Sequence, residues 1–221
     1  MMRFLTRSGA SLTVLALVAC SSGPKPADWQ LEAKGAMERS VSAWLEGNSR
    51  VEAAEFARAR TQISSTGRAD LLARAELLHC ASHVASLVFE PCAGFEKLRQ
   101  DAPPAERAYA DYLAARLAPA DAALLPPQQR AGALGDGLSV AGIADPLSRL
   151  VAAGVLLQAG RASPAVVQAA VDAASAQGWR RPLLAWLGVQ LALAEKGGDT
   201  LEAARLRRRI DLTGLAVKPT P

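Results

Sequence analysis

The stretch LAEKGGDTLEAARLRRR, Leu193 to Arg209, closes one helical pattern and opens another. Gly197-Gly198-Asp199 breaks the helix, because glycine tolerates the left-handed conformation that ends one. After the break, Ala203, Leu206 and Ile210 recur at three- and four-residue spacing. That is the inward stripe of an amphipathic helix from Thr200 to Leu212. Most of Arg205, Arg207, Arg208 and Arg209 then fall on a solvated face. A near copy lies much earlier, in AWLEGNSRVEAAEFARA, Ala43 to Ala59. Each stretch has a glycine, four residues, Glu-Ala-Ala, and a bulky apolar residue two positions later, Phe56 or Leu206. A chain using this device near both ends reads as a series of helical hairpins.

The intervening residues extend the pattern. Asp28 caps a helix to about Glu46, with Trp29, Ala33, Met37, Val41 and Trp44 or Leu45 along it. Ser49 caps a second, about Val51 to Ile63, with Val51, Ala54 and Ala57 or Arg58 on its faces. A third runs from Arg68 to about Ala85 with Leu71, Leu72, Ala75 and Leu78. Pro91 precedes a short fourth helix through Leu98, and DAPPAE from Asp101 opens a fifth through Leu117, with Tyr109, Tyr112 and Leu113 inward. Pro146, Pro164 and Pro182 each stand at the favoured first helical position and open helices to about Ala159, Gln177 and Glu195. The run Pro182 to Ala194, PLLAWLGVQLALA, is apolar on all sides and too short to span a bilayer, which predicts a helix packed on both sides. Pro119 to Gly137 mixes Pro and Gly with short apolar pieces, so the helical body 28–215 can divide into two sub-bundles near 119–144. Residues 216–221 read as a frayed tail.

Composition agrees. Aromatics are 5% of the chain, so the core must be built from Ala, Leu and Val, which suits close helix packing. Period-two alternation is nearly absent, and the expected class is all-α. Gly198, Asp199, Glu202 and Ala203 resemble the turn and second helix of a tetratricopeptide repeat, where a glycine ends one helix and a small alanine lets the next approach closely. The first-helix Trp-x-x-Leu-Gly signature is missing, because Trp186-Leu187-Gly188 has a different spacing. The resemblance implies consecutive antiparallel helical hairpins, stacked as tetratricopeptide repeats or as an irregular α-solenoid or bundle.

The opening segment carries a separate message. MMRFLTRS has two arginines and no acid, GASLTVLALVA is apolar or small, and SSGPKPA has linker composition. A basic start and a short apolar run are parts of a secretory signal, here residues 1–19. Leu17-Val18-Ala19-Cys20 resembles a bacterial lipobox. The resemblance implies cleavage before Cys20, a diacylglycerol thioether (a lipid attachment) on Cys20 and acylation, typically with palmitate, of the freed amine. Two or more acyl chains hold a protein stably on a membrane. Ser21, not an acid, follows the cysteine, and by the family's sorting pattern this implies the outer membrane, facing the periplasm. Residues 20–27 then form the lipidated cysteine and tether. Without Arg3 and Arg7 the chain has 23 basic and 21 acidic residues, a balance that offers no argument for nucleic acid.

In an oxidising periplasm the two remaining cysteines, Cys80 and Cys92, most economically form a disulfide. Their Cα atoms must then lie within about 7 Å. The third helix must therefore end near Ala85, with Val88-Phe89-Glu90-Pro91 doubling back. A competing use is a metal. Glu76, His79, Cys80 and His83 stand at i, i+3, i+4 and i+7, and His79 with His83 can bind Zn²⁺, completed by Cys92 or Glu90. There is no His-Glu-x-x-His motif, and two structural histidines are the plainer reading. Glu52 and Glu55 are expected on a solvated helix surface. Neither a GxSxG nucleophile elbow nor a phosphate-binding loop is present.

The expectation is a non-enzymatic, lipid-anchored periplasmic scaffold, adaptor or assembly factor that binds another envelope protein and needs no cofactor or metal. One version is a pilotin-like helper that brings a secretion or pilus component to the outer membrane. The alternatives are an envelope enzyme acting on peptidoglycan, or a metal-binding protein using Glu76, His79 and His83.

Overall fold

The computed structural model describes residues 25–134 and 137–215. The expected signal 1–19, Cys20, most of the tether and the tail 216–221 lie outside the described residues. Among the described residues the fold is all-α, with no strand.

Helix α1 (Asp28–Glu46) ends at Gly47, whose φ of 94° is left-handed. Helix α2 (Ser49–Ser64) starts under the side chain of Asn48, which accepts a hydrogen bond from the Val51 amide. The two helices pack on each other across this turn. Helix α3 (Ala69–Ala85) follows, then the short α4 (Ala93–Glu96) and α5 (Pro104–Leu113). Helix α5 stops four residues before its expected end because the chain turns left-handed at Ala115, φ 54°. A 3₁₀ turn (Pro119–Leu124) leads through α6 (Pro127–Leu134) and α7 (Gly137–Ala141) to four longer helices. These are α8 (Pro146–Gln158), α9 (Pro164–Gln177), α10 (Arg180–Lys196) and α11 (Thr200–Leu215). Asp145 and Ser163 cap α8 and α9 at the Asp-Pro and Ser-Pro pairs.

The centre of the molecule is α3, which touches α1, α2, α5 and α8. Its residues Ala73, Leu77, Ala81 and Val84 belong to the main buried cluster, with Leu150 and Val151 of α8, Val166 and Val167 of α9, and Trp186 and Leu187 of α10. Leu125, Val140 and Ile143 join the same cluster. A smaller cluster of Ala33, Ala36, Met37, Phe56, Ala59, Ile63 and Ala75 holds α1, α2 and the start of α3 together. Contacts of α3 with α8 and of α1 with α10 join segments far apart in sequence. In a one-dimensional repeat stack each unit touches only its neighbours. The chain therefore closes into a bundle.

Two expected faces are corrected. In the run Pro182–Ala194 only Pro182, Trp186 and Leu187 are buried, and Leu193 is 44% exposed. Helix α10 lies against α9, α11 and α1, which leaves one side open. On α2 the buried residues are Glu52, Phe56, Ala59 and Ile63, while Ala54 and Ala57 are exposed and Val51 is 39% exposed. The two Gly-turn-Glu-Ala-Ala stretches share the buried position of Phe56 and Leu206 but differ in the first turn, where α2 buries Glu52 and α11 buries Ala203, the counterpart of exposed Ala53. Their turns differ by one residue: the left-handed glycine is Gly47 in the first and Gly198 in the second. One residue is about 100° around a helix, so equal spacing here gives faces that overlap without coinciding.

Candidate functional site

The only two histidines of the chain sit one turn apart on α3 and meet residues from α1, α2 and α10. His79 Nε2 lies 2.6 Å from Glu52 Oε1. The His79 ring stacks on Phe56 with centroids 4.1 Å apart and planes 12° from parallel. The His83 ring stacks on Trp44 at 3.6 Å and 6°. The two imidazole centroids are 4.4 Å apart. Arg181 places its guanidinium carbon 3.7 Å from the Trp44 centroid, so it and His83 must occupy opposite faces of the indole.

This cluster is firmly held. Trp44 Nε1 reaches the Ser82 carbonyl at 3.0 Å and the Ser86 hydroxyl at 3.1 Å. Arg181 donates to the Trp44 carbonyl and to Ser49 Oγ, both at 2.7 Å. The Ser40 hydroxyl donates to the Glu52 carbonyl at 3.2 Å. Ser82, between the histidines, donates its hydroxyl to the His79 carbonyl at 2.7 Å. His83 Nε2 is buried and has no hydrogen-bond partner among the described residues. Burial, with smaller repulsion from His79 and Arg181, lowers the His83 pKa to about 4, so its ring is neutral at pH 7.

The expected triad is only partly assembled. Glu76 points elsewhere: its Oε1 is 3.0 Å from Arg60 Nε, and its carboxylate lies where a side chain on Gly94 would fall. Glu52 takes its place beside His79 and His83, and ligand atoms of these three lie within 4.8 Å of one another. The expectation of a solvated Glu52 is therefore corrected. A signal for it exists in the sequence: Phe56, Ala59 and Ile63 form a three- and four-residue stripe, and Glu52 lies four residues before Phe56. Cys80 and Cys92 lie at disulfide distance with Cα atoms 5.9 Å apart. Helix α3 ends at Ala85, and Leu87 at φ 60° turns the chain back towards Cys92. Glu90 is exposed and, with Cys80 and Cys92, borders a cleft of about 610 Å³ between α3, α4 and α5.

A second surface is apolar. A groove of about 500 Å³ runs between α3, α5 and the 3₁₀ turn, bordered by Leu77, Leu78, Tyr109, Leu124 and Pro126. Another of about 490 Å³ lies between α1 and α3, bordered by Trp29, Met37, Ile63 and Leu71. Arg74 and Leu78 border both, so the two grooves adjoin at these residues of α3, and the pair is here called the trough. Leu78 and Leu124 are 38% and 41% exposed. Arg74, beside Leu78, is paired with Glu106.

No protein-family model matches the chain, and neither a curated protein nor a solved structure matches it. No described helix is long and apolar enough to cross a membrane.

Proposed function

We propose that this protein is a lipid-anchored periplasmic adaptor that receives an amphipathic helical segment of another envelope protein. The observation that carries the reading is the trough over α1, α3 and α5. Exposed leucines in a concave setting, bordered by a fixed Arg74–Glu106 pair, suit the apolar face of a helix. The lipobox resemblance at Leu17–Cys20 supports the anchor. Trp29, on the border of the trough, is nine residues beyond Cys20, within roughly 30 Å of chain reach. A pilotin-like role, delivering a secretion or pilus component, is one form of this function.

The test is a photo-crosslinking amino acid at Leu78 in intact cells, with the exposed Gln168 of α9 as the control position. A discrete adduct from Leu78, absent from Gln168, is the expected result. It should be lost with Leu124→Glu and reduced when Cys20→Ser releases the chain from the membrane fraction. Equal labelling from both positions sinks the adaptor reading. Retention of Cys20→Ser in the membrane sinks the anchor.

A further inference from the structure

The histidine cluster does not contribute to the trough, and its chemistry differs from a surface made for an apolar helix. From its geometry we infer that Glu52, His79 and His83 form a binding site for one divalent transition-metal ion of the Zn²⁺ class.

Three observations carry this. His79 and His83, four residues apart on α3, put two imidazoles on one helix face, the arrangement that lets one helix supply two nitrogen ligands. Glu52 comes from the first turn of a different helix, with its side chain only 8% exposed, and so supplies the third ligand from a separate direction. His83 Nε2 is buried without a partner among the described residues. A buried polar atom left unpaired costs stability, and a ligand restores what it lacks.

The distances suit closure around an ion. Tetrahedral Zn²⁺ with bonds of about 2.0–2.2 Å separates its ligands by roughly 3.4 Å. Glu52 Oε1 and His79 Nε2, at 2.6 Å, must part, while the set as a whole, within 4.8 Å, must contract. Both adjustments are on the order of 1 Å and fall within side-chain rotation. The hydrogen between Glu52 Oε1 and His79 Nε2 vacates that position when the ion binds, passing to His79 Nδ1 or to solvent according to the starting tautomer and charge of the ring. Phe56 and Trp44 hold the imidazole planes by stacking, so the rings enter the site partly oriented. Two imidazoles select a borderline ion over Mg²⁺ or Ca²⁺. Three protein ligands leave one tetrahedral position open to water or an exogenous donor. Arg181 is the opposing charge: it lies on the far face of Trp44, and Glu52 offsets it in part.

The chain offers a clean test, because it contains no other histidine. Untagged protein with its cysteines oxidised is titrated with Co²⁺ and then Zn²⁺. The expected result is one Co²⁺ per chain with visible ligand-field absorption, displaced by one equivalent of Zn²⁺ and not by Ca²⁺. Both imidazole side-chain ¹⁵N signals should move on Zn²⁺ addition. Glu52→Gln keeps the shape of the side chain and should weaken Zn²⁺ binding by at least about tenfold, while His79→Gln and His83→Gln should abolish the cobalt spectrum. Circular dichroism reports whether each variant folds, and Glu52→Gln decides if a histidine variant does not. The inference is overturned by absence of saturable 1:1 binding, by Zn²⁺ binding that leaves both imidazole signals unmoved, or by unchanged affinity in folded Glu52→Gln. The outcome is independent of the crosslinking at Leu78, so either reading can fail alone.

Discussion

Glu52 and Glu76 show how far surroundings outweigh residue type. Both are buried glutamates, yet Glu52 meets a histidine and Glu76 is a desolvated carboxyl beside Arg60. Burial raises the Glu76 pKa above 4.5, and Arg60, His79 and Lys97 counter it only in part. A carboxyl with a raised folded-state pKa holds its proton more tightly in the native chain. Its contribution to stability therefore falls as pH rises from about 4.5 through the raised value. Glu76→Gln lacks that dependence. The expected outcome is a Tm difference, variant minus wild type, that widens in favour of glutamine as pH increases from 4.5 and then levels off. A difference that narrows with pH would mean that the Arg60 pairing dominates. Neither glutamate's burial is visible in composition. That of Glu52 is implied by the stripe on its helix, while that of Glu76 follows from Gly94 packing against it.

At the scale of elements, most helices were legible because local chemistry ends them. Gly47 and Gly178 take left-handed conformations, and Asp145-Pro146 and Ser163-Pro164 start α8 and α9 where such pairs should. Faces were less legible. Alanine-rich helices offer several nearly equal apolar stripes, so α2 could be read with Val51 and Ala54 inward when Phe56 and Ala59 are the buried pair. Close approach between helices was also hidden. A Cβ on Gly154 of α8 would collide with the carbonyl and side chain of Val84 on α3. Gly154→Ala improves helix propensity but should still destabilise the fold, by about 1–3 kcal/mol, through overpacking at this crossing. Chemical denaturation checks it. Gly188→Ala on α10, where a Cβ meets nothing, should be neutral or slightly stabilising.

Across the whole molecule, α10 ties the first hairpin to the rest. Arg180 donates to the Glu46 carbonyl at 2.9 Å and Arg181 to the Trp44 carbonyl at 2.7 Å, so both satisfy the end of α1 from more than 130 residues away. Trp186 Nε1 does the same for the end of α3, reaching the Ala85 carbonyl at 3.1 Å. Arg181→Ala removes charged hydrogen bonds worth about 1.5–3 kcal/mol. Hydrogen exchange should quicken in α1 and α2 and stay unchanged in α8 and α9. Uniform quickening would show instead that the bundle opens only as one unit.

The sequence by itself determined the helical class, most helix boundaries and the pairing demand on Cys80 and Cys92, because each depends on short-range chemistry: spacing, caps, glycine conformation and chain reversal. The tertiary structure alone decided that the hairpins close into a bundle and that Glu52, not Glu76, joins the histidines. Those outcomes depend on which face each helix turns to a distant partner. A few degrees of helix rotation or one residue in a turn changes that choice, and alanine-rich patterns leave it open until packing resolves it.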